Sequence, residues 1–123
     1  MPEINESGLV SDLQSIAGNS LRSVATYDKD GYDFHYLRSD VGGRVDELAD
    51  DIHQNLVLEG IEKEYLEGLF AAGDLHCTLH RFEDLRAYHF VTGQFQGLFV
   101  GVDTGTDADT ATIEATCREH VEA

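Results

Sequence analysis

Three runs toward the end of the chain, at about 75–82, 85–92 and 95–102, are separated by the turn candidates Glu83-Asp84 and Thr92-Gly93-Gln94. In the first two, side chains of opposite character alternate, with Leu75, Cys77, Leu79, Tyr88 and Phe90 on one side and His76, Thr78, His80 and His89 on the other. Successive residues of a strand point to opposite faces, so this pattern predicts a three-strand meander with one core face. Upstream, "SLRSVATYDKDGYDFHYLRSD" predicts two strands around a tight turn. Asp30-Gly31 is the turn signal, because glycine tolerates positive φ. The flanks are rich in Tyr, Phe, Val and Thr, which suit strands.

Helical spacing fills the rest. Leu9, Val10, Leu13, Ile16 and Ala17 predict an amphipathic helix closed by Gly18. Val45, Leu48, Ala49, Ile52 and Leu56 predict a helix over 43–58 that Gly60 interrupts. Tyr65, Leu66, Leu69 and Phe70 place a further helix over 61–72, with Gly73 at its C-terminal end. Ile113, Cys117 and Val121 predict a last helix capped by Asp107 or Thr106. The expected order is α-β-β-α-α-β-β-β-α. It forms an α+β domain over residues 1–123, built on one five-stranded antiparallel sheet covered by helices. Its inner strands are the first and last of the five, and its edges are strands 31–38 and 75–82.

The chain has 123 residues, of which 41% are hydrophobic, enough for one core. Its charge is unusual: 24 acidic residues against 8 basic ones leave a formal −16. Such a charge opposes binding to nucleic acid and to anionic lipid. The acids are scattered rather than blocked, which is the pattern expected of a protein in brine, where salt screens their repulsion. An acidic protein that mimics nucleic acid is the other source of such a charge. The start, "MPEINESGLV", lacks the basic and apolar regions of a signal peptide, and no stretch reaches the roughly 20 apolar residues of a membrane span. Cys77 and Cys117 form no C-x-x-C pair. The expectation is a soluble protein of a reducing cytoplasm.

The element order resembles the roadblock domain, within the profilin-like and longin-like group. "ATYDKDGYDFHYL" is similar to that family's first hairpin, with its Asp-Gly turn. PAS sensor domains share the two-plus-three strand order and are the competing resemblance. More locally the chain resembles a small acidic domain family of halophilic archaea. That resemblance rests on Asp30-Gly31-Tyr32, Tyr36-Leu37-Arg38, Gly73-Asp74-Leu75, His80-Arg81-Phe82 and His89-Phe90. The roadblock resemblance implies a non-enzymatic scaffold or regulatory module, with a small GTPase or another signalling protein as partner. The archaeal resemblance supplies no catalytic residues.

The histidine-bearing face has two readings. If Glu83-Asp84 is a two-residue turn, Thr78 pairs with His89 and His80 with Ala87. His89 then lies diagonal to His76 and His80, at about 7–8 Å. Three imidazoles so placed would hold Zn²⁺ with a fourth position open, as in catalytic zinc sites. Alternatively each histidine fills a half-buried sheet surface. No carboxylate within the strands shares the face to orient the rings, which favours this second reading. Cys77 reads as a small buried hydrophobe. His35, His53 and His120 read as surface residues. Asp103, Asp107 and Asp109 would serve as Ca²⁺ or Mg²⁺ ligands or as an acidic helix cap.

The leading expectation is therefore a homodimeric interaction module with no cofactor. Its anchors are the exposed aromatics Tyr32, Phe34 and Tyr36, or one face of helix 43–58. A PAS-like sensor of a small ligand or metal, and a hydrolase using His76, His80 and His89, are the alternatives.

Overall fold

The computed structural model describes residues 6–121, with the backbone alone described for 43–48. The order is α1 (Glu6–Ala17), β1 (Leu21–Tyr27), β2 (Tyr32–Leu37), α2 (Gly42–Phe70), β3 (Thr78–Arg81), β4 (Leu85–Gly93), β5 (Gln96–Asp103) and α3 (Thr110–Val121). The five strands form one antiparallel sheet in the order β2-β1-β5-β4-β3. The edges are therefore β2 and β3, as the sequence predicts.

The two faces pack against different helices. Val24, Tyr88, Phe90, Leu98, Val100 and Val102 project toward α1 and α3 and pack with Leu9, Leu13, Ile113 and Cys117. Cys77 and Leu79 join this core, as their alternation predicts. His120 does not decorate the surface alone: its Nε2 lies 2.8 Å from Asp12 Oδ2, tying α3 to α1. The opposite face mixes the small residues Ser23, Ala25, Ala87, Gly97 and Gly101 with Tyr27, His89, Val91 and Phe99. Across these lies α2.

Helix α2 corrects the expectation of two crossing helices. Residues 42–70 form one continuous helix through Gly60. A glycine costs a helix only about 1 kcal/mol relative to alanine. Here the flanking residues Leu58, Glu59, Glu62 and Lys63 favour the helix. Gly60 also faces the sheet, where an added Cβ would lie 3.7 Å from the Val91 methyls. The predicted stripe is met by Ala49 and Leu56, which are buried, while Ile52 is exposed. The side chains of Val45 and Leu48 lie outside the described residues. The helix ends in a left-handed Ala71 (φ 50), whose N–H donates to Glu67 O, so Gly73 is not its cap.

Two turns also differ from expectation. Gly31 does not adopt positive φ. Instead Asp28 organises the loop, its Oδ1 accepting from the N–H groups of Asp30 and Gly31 at 2.8 and 3.1 Å. At α3 the cap is Asp109, whose Oδ1 accepts from Thr112 N–H at 2.7 Å. Asp103 is engaged elsewhere. Arg38 reaches its Oδ2 at 2.7 Å and Arg22 its Oδ1 at 3.4 Å, joining the ends of β1, β2 and β5.

Candidate functional site

Strand β3 is shorter than the sequence suggests, and His76 precedes it. The hairpin register is the one a Glu83-Asp84 turn dictates: Thr78 pairs with His89 and His80 with Ala87. His80 and His89 therefore both face α2. The helix supplies what the strands lack, a carboxylate. Glu59 Oε1 lies 3.1 Å from His80 Nε2 and 3.7 Å from His89 Nδ1. On its other side, His89 Nε2 shares a short hydrogen bond with the hydroxyl of Tyr27 from β1. That hydroxyl also reaches Leu56 O of α2 at 3.4 Å.

The result is a polar chain, Tyr27–His89–Glu59–His80, running from the sheet interior to a half-exposed imidazole. His89 and Tyr27 are buried. Burial pushes the His89 pKa down from its ordinary 6.5, and the Glu59 charge opposes the shift. The neutral imidazole then donates Nδ1–H toward Glu59 and accepts at Nε2 from Tyr27. Burial, followed by the Glu59 charge, raises the Tyr27 pKa well above its usual 10.0, so the phenol keeps its proton.

Beside this chain, α2 and β3 enclose a cleft of about 350 Å³ lined by Asn55, Glu59, Glu62, His76, His80 and His89 among others. Its polar groups converge without the geometry of a metal centre. Among the described residues, no group of three or more His, Cys, Asp or Glu side chains is spaced to hold a metal ion. Burial drives the thiols of Cys77 and Cys117 up to about 12, which suits core residues and not nucleophiles. His53 is not simply solvated. Its Nε2 lies 2.6 Å from Asp28 O, and its ring sits about 6 Å from those of Tyr27 and Tyr32.

The aromatic row of β2 is split. A bulge at His35 sets Phe34 opposite Ala25 but Tyr36 opposite Val24. Tyr36 consequently packs on the α1–α3 core, while Tyr32 and Phe34 lie on the α2 face with ring centroids 5.7 Å apart. His35, the inserted residue, bonds Thr26 Oγ1 at 2.7 Å. A second apolar surface was not expected from the sequence. Leu58, Ile61, Tyr65 and Leu69 are 58, 56, 69 and 62% exposed, and Phe70 and Phe82 are also exposed. At 3.6 residues per turn the first four share one stripe, about half a turn from Ala49, Leu56 and Gly60. The helix thus carries apolar residues on both its sheet side and its solvent side.

Solved structures share this architecture. MglB from Myxococcus xanthus has 17% identity and a TM-score of 0.62, covering 99% of this chain and 88% of its own. A structure described as MglB with tetrameric arrangement has 13% identity and a TM-score of 0.61, with 99 and 92% covered. A Roadblock/LC7 domain from Streptomyces avermitilis has 14% identity and a TM-score of 0.56, with 89 and 88% covered. The fold is accordingly roadblock-like. No curated protein matches the chain. A family model described as "Domain of unknown function (DUF7522)" matches residues 7–122, and the chain belongs to that family.

Proposed function

We propose that this chain is a regulatory protein-interaction module that acts as a homodimer, without catalysis of its own, in the cytoplasm of a salt-adapted cell. The observation that carries the reading is the solvent-facing stripe Leu58, Ile61, Tyr65 and Leu69 on α2. Contiguous apolar surface of this kind marks an interaction site in a chain otherwise covered with carboxylates. Fully burying one such side chain is worth about 1.5–3 kcal/mol, so four of them provide a substantial driving force. Phe82, just beyond edge strand β3, is also 55% exposed. This reading puts the interface on the C-terminal half of α2, to which the range 43–58 contributes Leu58. The similarity to an MglB with tetrameric arrangement is consistent with self-assembly. The partner class implied by the roadblock resemblance is a small GTPase or another signalling protein.

Light scattering in roughly 3 M KCl, where the Debye length is below 3 Å, tests the dimer. The parent chain should have twice the monomer mass, and Tyr65→Lys with Leu69→Lys should reduce it to the monomer. A monomeric parent at every accessible concentration, or a folded double variant that stays dimeric, overturns the assignment.

A further inference from the structure

Edge strand β2 stands beside a second apolar feature that the α2 stripe does not touch. Between β2 and the N-terminal half of α2 lies a groove of about 60 Å³, lined by Ala25, Phe34, Ala49, Ile52, Leu56 and Phe99 among others. Phe34 and Ile52 are 36 and 39% exposed at its mouth. Among the described residues the strand pairs only with β1, which leaves its outer side open. Open edges are usually blunted by lysine or proline; residues 32–37 contain neither. The bulge at His35 breaks the edge. That leaves Tyr32–Phe34 as the part with regular pairing geometry, directly beside the groove.

We propose that β2 and this groove dock an extended segment of a partner protein. The segment adds as a strand beside Tyr32–Phe34 and inserts one branched aliphatic side chain into the groove. Its form follows from the edge, since main-chain hydrogen bonds recruit an extended segment while a pocket selects alternate side chains. The anchor follows from the volume, which is well below the roughly 150 Å³ that admits a benzene. The flanking residues follow from charge. Exposed Asp28 and Asp30 lie in the loop before the strand, Asp33 on the strand and Asp50 on the helix, and Lys29 is the exposed cation beside them among the described residues. The segment therefore carries lysine or arginine on either side of its anchor. At contact distances near 3 Å such pairs are comparable to the Debye length in molar salt and are not fully screened.

The probe is a short synthetic peptide with one central valine, alternating threonines and flanking lysines, titrated into isotope-labelled full-length chain at high KCl. Amide shifts should concentrate in Tyr32–Phe34, with methyl shifts at Ala49 and Leu56. Replacing the peptide's valine with aspartate should weaken binding at least tenfold. Ala49→Phe, which fills the groove, should do the same. Should that variant misfold, Phe34→Lys tests the site from the exposed edge by setting a cation against the peptide's lysines, again with at least a tenfold loss. Shifts absent from β2, shifts confined to β3 or the α2 stripe, or unchanged affinity in a folded groove variant would overturn the proposal. So would dissociation of the homodimer by Phe34→Lys, because the edge would then serve a second copy of this chain. Failure of the α2 dimer test leaves this result standing, so the two readings fail separately.

Discussion

Gly97 offers a direct test of how tightly the Tyr27–His89–Glu59–His80 chain is held. A Cβ built on Gly97 would sit 2.5 Å from Cε1 and 2.6 Å from Cζ of Tyr27, and would also overlap its hydroxyl. Real Cβ contacts do not occur at these distances, so the ring must move. Tyr27 has little freedom to do so. It is 7% exposed, bonded to His89 and Leu56 O, and flanked by the rings of His53 and His89 at 6.0 and 5.6 Å. Overpacking a filled site costs about 1–3 kcal/mol. Leaving a buried hydrogen-bonding group unpaired adds about 1–3 kcal/mol. Gly97→Ala should therefore destabilise the fold by about 2–6 kcal/mol, a large share of the roughly 5–15 kcal/mol typical of a domain. The assay is urea unfolding at fixed high salt. Tyr27→Leu, which removes the obstructing end of the ring, should reduce the cost of Gly97→Ala to less than about 1 kcal/mol in the double variant. Neighbouring residues couple in this way, and distant ones add. A cost for Gly97→Ala under about 0.5 kcal/mol, or strict additivity in the cycle, would refute the argument.

Acid should weaken the fold through His89, since its folded pKa lies below 6.5. Above 6.5 neither state holds the proton; as pH falls through 6.5 the unfolded chain takes it up first, so stability drops, by at most about 1.4 kcal/mol per pH unit. Urea midpoints should be lower at pH 5.5 than at pH 7.5, and His89→Gln should flatten that difference, which an unchanged slope would contradict. The acidic surface should make the fold depend on salt, with Tm rising between about 0.1 and 3 M KCl as repulsion is screened; an unmoved Tm would assign the charge another purpose.

What could be read from the sequence is what strand alternation fixes locally. A two-residue turn at Glu83-Asp84 determines every pair in the β3–β4 hairpin, so the Thr78–His89 pairing and the core face of Cys77, Leu79, Tyr88 and Phe90 follow from the spacing. The same rule misleads wherever one residue is inserted. His35 shifts the register within β2, and Tyr36 passes from the row of Tyr32 and Phe34 into the core. Strict alternation has no means of registering that bulge. Glu59 was missed for a different reason. It meets His80 and His89 only once α2 is laid across the sheet, and neither its position nor its charge announces that contact locally.

The rotation of α2 was ambiguous because periodicity measures spacing and not direction. Residues 49–69 contain two apolar stripes: Ala49 and Leu56 on one side, and Leu58, Ile61, Tyr65 and Leu69 on the other. Either would satisfy a search for an amphipathic helix. The discriminating signal lay in the sheet. On the face that α2 covers, Ser23 and Ala25 leave a hollow beside Tyr27 and Phe99 that Ala49 lines, and Gly60 comes close over Val91 and Tyr27, so the helix approaches through its small residues. The bulkier stripe containing Tyr65 fits that surface poorly and is left outward. The same size matching that docks α2 therefore leaves its larger apolar side in water, where covering it requires another molecule.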